Sequence, residues 1–181
     1  MTDSALRVRR LCFAATVGAL YAVLTLILAP ISFGALQLRA AEVLCILPYF
    51  APVSAWGLFV GCALANLMSG NLFDVVFGSL ATLLAALCTA RLGRRKDPVS
   101  GFLACLAPVV FNALTVGAVV TAAYEGQSPF SRPGLFAVNA LWIAAGEGIV
   151  LLAMGYPLLR FLPKKPLFRE LLSRLGYDTI N

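Results

Sequence analysis

No histidine occurs among the 181 residues of this chain, and charged residues make up only 12% of it. Without histidine, a Ser-His or Cys-His nucleophile system is excluded and the commonest metal ligand is missing, so no metal site is expected. There is no G-x-x-x-x-G-K-[ST] loop, so the chain cannot hydrolyse ATP by that route. The five cysteines, Cys12, Cys45, Cys62, Cys88 and Cys105, form no C-x-x-C pair. They lie in or beside apolar runs and read as small buried hydrophobes. These absences remove most catalytic and energy-coupling chemistry. The chain reads as a non-enzyme with no cofactor of its own, and anything it moves uphill needs energy from a partner.

What the sequence has in abundance is apolar residues, 61% of the chain, with a mean hydropathy of +0.91. That composition marks an integral membrane protein. A spanning helix takes about 20 apolar residues, so the expectation is an all-α bundle of six transmembrane helices with no separate soluble domain. The spans fall at Leu11–Leu28, Ala41–Phe50, Ser54–Met68, Asp74–Leu92, Gly101–Tyr124 and Gly134–Leu162. The first follows Arg7, Arg9 and Arg10 as a secretory signal would, but it is long for one and no small-x-small site precedes Pro30. It is read as a retained helix. Pro48 and Pro52 end the second span early, because proline removes a donor and crowds the preceding turn. At ~10 to 12 residues that segment crosses only with help from flanking chain. The organisation expected is one six-helix domain, residues 1–162, and a basic amphipathic tail, residues 163–181, lying along the inner membrane surface.

All fourteen basic residues except Arg39 and Arg132 fall in three places: the N-terminus, the Arg91–Lys96 turn and the tail. By the positive-inside rule these regions are cytoplasmic, which puts both termini inside and fits four crossings followed by two. The basic balance is therefore topological and implies a lipid bilayer, not nucleic acid, as the partner.

Within the membrane an ionisable group costs ~2.5 to 3.5 kcal/mol and is a functional hypothesis by default. Gln37, Arg39 and Glu42 lie in the first outer loop and at the start of the second span. Asn66, Ser69, Asn71 and Asp74 surround the next outer turn, with Ser79 further down. On the last span Asn139, Trp142, Ile143, Gly146 and Glu147 form a stripe. Glu147 lies about 20 Å along that helix, near the bilayer centre. These groups converge on a pocket open to the outside, with Trp142 as a stacking surface. Simpler readings stand beside this one. Asp74 suits a helix start without any ligand, and Arg39 and Glu42 can pair with each other. Asn112, four residues after Pro108, can satisfy backbone freed by a kink. Nothing basic lies near Glu147 in sequence.

The first span also carries Ala14-x-x-x-Gly18-x-x-x-Ala22, flanked by Ala15 and Ala19. Small residues four apart let another helix approach closely, inside the bundle or from a partner.

The stretch from Phe33 to Ala86, with LQLRAAE, LPYFAP, GLFVGCALAN and DVVFGSLATLLAA as its most specific parts, resembles the QueT family. These are the substrate-binding membrane subunits (S components) of energy-coupling factor (ECF) transporters for queuosine precursors. The second half agrees in span layout and in the glutamate of NALWIAAGEG. The resemblance implies an ECF S-component fold in a prokaryotic plasma membrane, partnered by a transmembrane coupling protein and two ATPases that use the ATP. It also implies that Ala14, Gly18 and Ala22 face the coupling protein. The implied ligand is a 7-deazaguanine such as 7-aminomethyl-7-deazaguanine. For it Glu147 suits the guanine edge, Trp142 the base face, Asn139, Asn112 or Gln37 the carbonyl oxygen, and Glu42 or Asp74 the aminomethyl cation. An S component for another vitamin or purine, and a stand-alone carrier or channel, are the alternatives.

Overall fold

The computed structural model describes residues 3–32, 38–95 and 97–177, so Gln37 lies outside the described residues. Among these residues all of the regular structure is helical, with no strand. Helix α1 spans Asp3–Ile27, α2 Ala40–Tyr49, α3 Ser54–Asn66 and α4 Asp74–Leu92. They are followed by α5, Pro98–Ala123, α6, Pro133–Lys164, and α7, Pro166–Arg174. Proline opens α5, α6 and α7 in the first turn, where its missing N–H has no intrahelical partner to lose. Gly70, with φ of 70°, takes the left-handed position that ends the turn after α3.

Four of these helices, α1, α4, α5 and α6, are long and apolar enough to cross a membrane by length and composition. The second and third expected spans are shorter. Helix α2 is wound as a 3₁₀ helix, which rises ~2.0 Å per residue against ~1.5 Å in an α-helix. Its ten residues therefore reach about 20 Å where α-helical winding gives about 15 Å. Tight winding recovers part of the length that Pro48 and Pro52 remove. Large apolar side chains such as Leu11, Val60, Leu114, Leu141 and Ile149 face outward, as a lipid-facing surface requires.

Helix α2 sits at the centre and touches α1, α3, α4, α5 and α6. One face joins Val17, Tyr21, Leu58 and Ala86 through Ala41 and Cys45. The opposite face joins Ala104, Cys105, Leu151 and Leu172 through Ile46, Tyr49 and Phe50. The last residue group brings in α7. Its Phe168 meets Phe50 edge to face at 5.2 Å, and Leu172 and Leu175 are buried. Arg10 Nε donates to the Leu175 carbonyl at 2.9 Å, and the guanidinium lies over the Tyr177 ring. The tail helix thus seats its apolar face on the bundle, and the two described ends of the chain meet at one end of it.

The stripe Ala14, Gly18, Ala22 is buried, and Ala14 and Gly18 form the seam between α1 and α3. A Cβ on Gly57 would lie 2.0 Å from the Ala14 carbonyl oxygen, and one on Gly61 2.4 Å from that of Gly18. Gly18 is held in the same way against the Gly57 carbonyl oxygen. The expectation of a partner face at these three residues is corrected: internal packing of small residues takes it. Ala15 and Ala19, one position on, face outward.

Gly18→Leu should lower the thermal midpoint of the detergent-purified protein, with an overpacking cost of about 1–3 kcal/mol or more. Ala19→Leu should leave that midpoint unchanged.

Candidate functional site

Glu42 lies in the first turn of α2 and is completely buried. Both of its carboxylate oxygens are held by protein. The Tyr21 hydroxyl, in the middle of α1, donates to Oε1, and the Cys45 thiol, one turn along α2, donates to Oε2 at 3.0 Å. Across the bundle, Glu147 projects inward from α6 on the face it shares with Ile143, Gly146 and Val150. This is the 3.6-residue repeat of one buried helix side. Asn112 of α5 donates from Nδ2 to Glu147 Oε1 at 2.7 Å. The other two atoms of this pair, Glu147 Oε2 and Asn112 Oδ1, are buried with no hydrogen-bond partner. Arg39 precedes α2 directly and is 3% exposed; its charge acts on both Glu42 and Glu147. Four helices therefore bring two carboxylates, one guanidinium, a carboxamide and a phenol into one buried cluster.

The neighbouring polar residues on α3 and α4 have structural work. Asn66 Nδ2 donates to the Asp74 carbonyl oxygen at 2.9 Å and to Cys62 Sγ at 3.4 Å, which fastens the turn between the two helices. Thr82 also donates to Cys62 Sγ, at 3.3 Å. The Ser79 hydroxyl bonds back to the Val75 carbonyl within its own helix. Asp74 is buried and opens α4 in a wide π turn, Asp74–Gly78.

Residues 11–164 match the sequence pattern of the family described as QueT transporter. The chain belongs to that family. One curated relative, the "Queuosine precursor transporter QueT" of Lactococcus lactis subsp. cremoris (strain MG1363), is 36% identical over 72 residues. That alignment covers 39% of this chain and 43% of the relative, so less than half of the relative's length is matched. No solved structure matches the chain. Membership of the QueT transporter family accords with a bundle of membrane-type helices.

Set against this helical bundle, the expected site residues divide into two groups. Arg39, Glu42, Asn112 and Glu147 come together. Asn112 does not repair backbone near Pro108; its amide reaches across to Glu147. Trp142 is placed elsewhere. It is 54% exposed and shares a surface hollow with Val138 and Leu141. One residue of α-helix is a turn of about 100°, so Trp142 points away from the side that buries Ile143 and Glu147. The expected stacking role is therefore corrected to a place on the outer surface. Asn139 lies two turns above Glu147 and donates to Thr121 Oγ1 and Glu125 Oε2, both at 3.0 Å. It clasps the end of α5 and the turn after it to the start of α6. Tyr21 and Cys45 were not among the expected site residues. A tyrosine in the middle of an apolar span was the available signal, since its hydroxyl must find a partner when buried.

In chemical terms the cluster can donate or accept hydrogen bonds, and it offers two unpartnered acceptors, Glu147 Oε2 and Asn112 Oδ1. Buried polar atoms are nearly always hydrogen-bonded, so two such acceptors on one hydrogen-bonded pair of side chains suit a ligand that brings donors. Tyr21→Phe should cost about 1–3 kcal/mol of stability by removing a donor from the buried Glu42 carboxylate, read as a lower denaturation midpoint.

Proposed function

We propose that this chain captures a queuosine precursor, a 7-deazaguanine, in the cluster around Glu147 and Asn112, and delivers it together with an ATP-driven coupling module. The observation that carries this reading is the pair of unpartnered acceptors, Glu147 Oε2 and Asn112 Oδ1. A guanine edge presents the ring N1–H and the exocyclic amine side by side, and both donors are satisfied by such a pair. A purine lacking that edge leaves buried acceptors unpaired, which supplies selectivity. The name of the Lactococcus relative, a queuosine precursor transporter, supports the same substrate class.

The topology that goes with this function has six crossings and both ends in the cytoplasm. Helices α2 and α3 complete their crossings within the bundle, and the basic end where Arg10 meets the tail faces inward. The energising partners are a transmembrane coupling protein and two ATPases, in keeping with a chain that has no P-loop. For the docking face we propose the outward strip of α1 at Ala15 and Ala19, where small exposed side chains permit close helix approach. The loaded subunit then reorients in the membrane to release the base inside.

Calorimetric titration of the purified chain with 7-aminomethyl-7-deazaguanine tests the capture step. Glu147→Gln should cost about 1.5–3 kcal/mol of binding, whereas Trp142→Phe should leave affinity unchanged. Absence of binding by folded protein would reject the ligand. Uptake into liposomes by the chain alone, without ATPases, would instead favour a stand-alone carrier.

A further inference from the structure

At the end of the bundle opposite Arg39, a cavity of about 380 Å³ opens between the start of α5, the end of α6 and α7. Arg160, Lys164 and Arg169 line it, together with Asp97 and the apolar walls of Phe50 and Leu159. Three cations stand against one carboxylate in a space large enough for a phosphate group and its substituent. Two of the cations are pre-positioned. Arg160 donates from Nε and Nη2 to the Tyr156 hydroxyl at 3.3 and 2.9 Å and lies over that ring at 5.3 Å. Arg169 donates from Nε to the Pro163 carbonyl at 2.6 Å. Each guanidinium has five N–H donors in a fixed fork, so these contacts orient it and leave further donors for an anion.

We infer that this cavity is a binding site for the phosphate headgroup of an anionic phospholipid, with the acyl chains lying along the neighbouring apolar surface of α6. A free phosphate needs only the cations. The cavity adds an apolar wall at Phe50 and Leu159, and next to it Leu158 and Phe161 are exposed on the outer side of the same helix. That pairing of a charged recess with an open apolar face matches an amphiphile at the membrane surface. Asp97 works against the anion. The Ser100 hydroxyl holds its carboxyl below the usual carboxylate range, so it is ionised at neutral pH. This site is independent of the capture reading and rests only on the chain being in a bilayer.

The experiment compares dioctanoyl phosphatidylglycerol, dioctanoyl phosphatidylcholine and inorganic phosphate as ligands of the full detergent-purified chain, by native mass spectrometry and thermal shift. Phosphatidylglycerol should bind well above phosphatidylcholine. Arg160→Gln and Lys164→Gln should each weaken it about fivefold, and Asp97→Asn should tighten it by a similar factor. The gain in Asp97→Asn keeps the test valid where a loss could reflect misfolding. Equal binding of the two lipids, or no change in Asp97→Asn, would overturn the site. Stabilisation by inorganic phosphate equal to that by phosphatidylglycerol would overturn the lipid as its occupant.

Discussion

The backbone contact between α1 and α3 sets the geometry on which the buried polar cluster depends. Gly18, Gly57 and Gly61 let the two helices approach until carbonyl oxygens lie where side chains would otherwise be. Tyr21 is three residues beyond Gly18 on α1, less than one turn, so the seam that fixes Gly18 also fixes the height and rotation of the Tyr21 ring. From there its hydroxyl reaches Glu42. In an apolar surround a carboxylate without donors is costly. The glycines therefore control whether α2 can keep an acidic residue at the centre of the bundle.

Helix α2 follows from the same constraint. A short segment interrupted by prolines cannot face lipid, since its free backbone groups would go unsatisfied. It can exist at membrane depth only when other helices surround it, and here it touches five of them. That central place also lets it carry Arg39 and Glu42 toward α5 and α6, where Glu147 and Asn112 wait. The stacking of structure and function on one short helix explains why its first turn is polar and the rest of it is apolar.

Much of this arrangement was legible in the sequence. The helical class, the approximate ends of the long helices, and the burial of Glu147 all came from hydropathy and spacing, because burial and period act locally along a helix. Rotation about a helix axis was less legible. Trp142 and Glu147 are five residues apart, and a stripe drawn by threes and fours admitted both, while the structure places Trp142 outward. The small-residue stripe posed the same problem: spacing shows that something packs closely on Ala14, Gly18 and Ala22, but not whether that neighbour is α3 or another chain. The 3₁₀ winding of α2 was also invisible, since it depends on the space its neighbours leave. Tyr21 was missed for a related reason. Its partner is 21 residues away, beyond any local pattern.

Helix α1 links the two halves of the proposed mechanism through its opposite faces. Inward, it holds α3 through glycine contacts and Glu42 through Tyr21. Outward, it shows the small residues Ala15 and Ala19. A close-packed seam has little freedom to slide, because any axial shift drives a carbonyl oxygen into the facing backbone. In the proposed mechanism, a shift of α2 on filling of the polar cluster moves α1 together with α3, because the seam between them is close-packed. Ligand occupancy and partner engagement are, in that mechanism, coupled through displacement of the α1–α3 pair, which the glycine seam holds together.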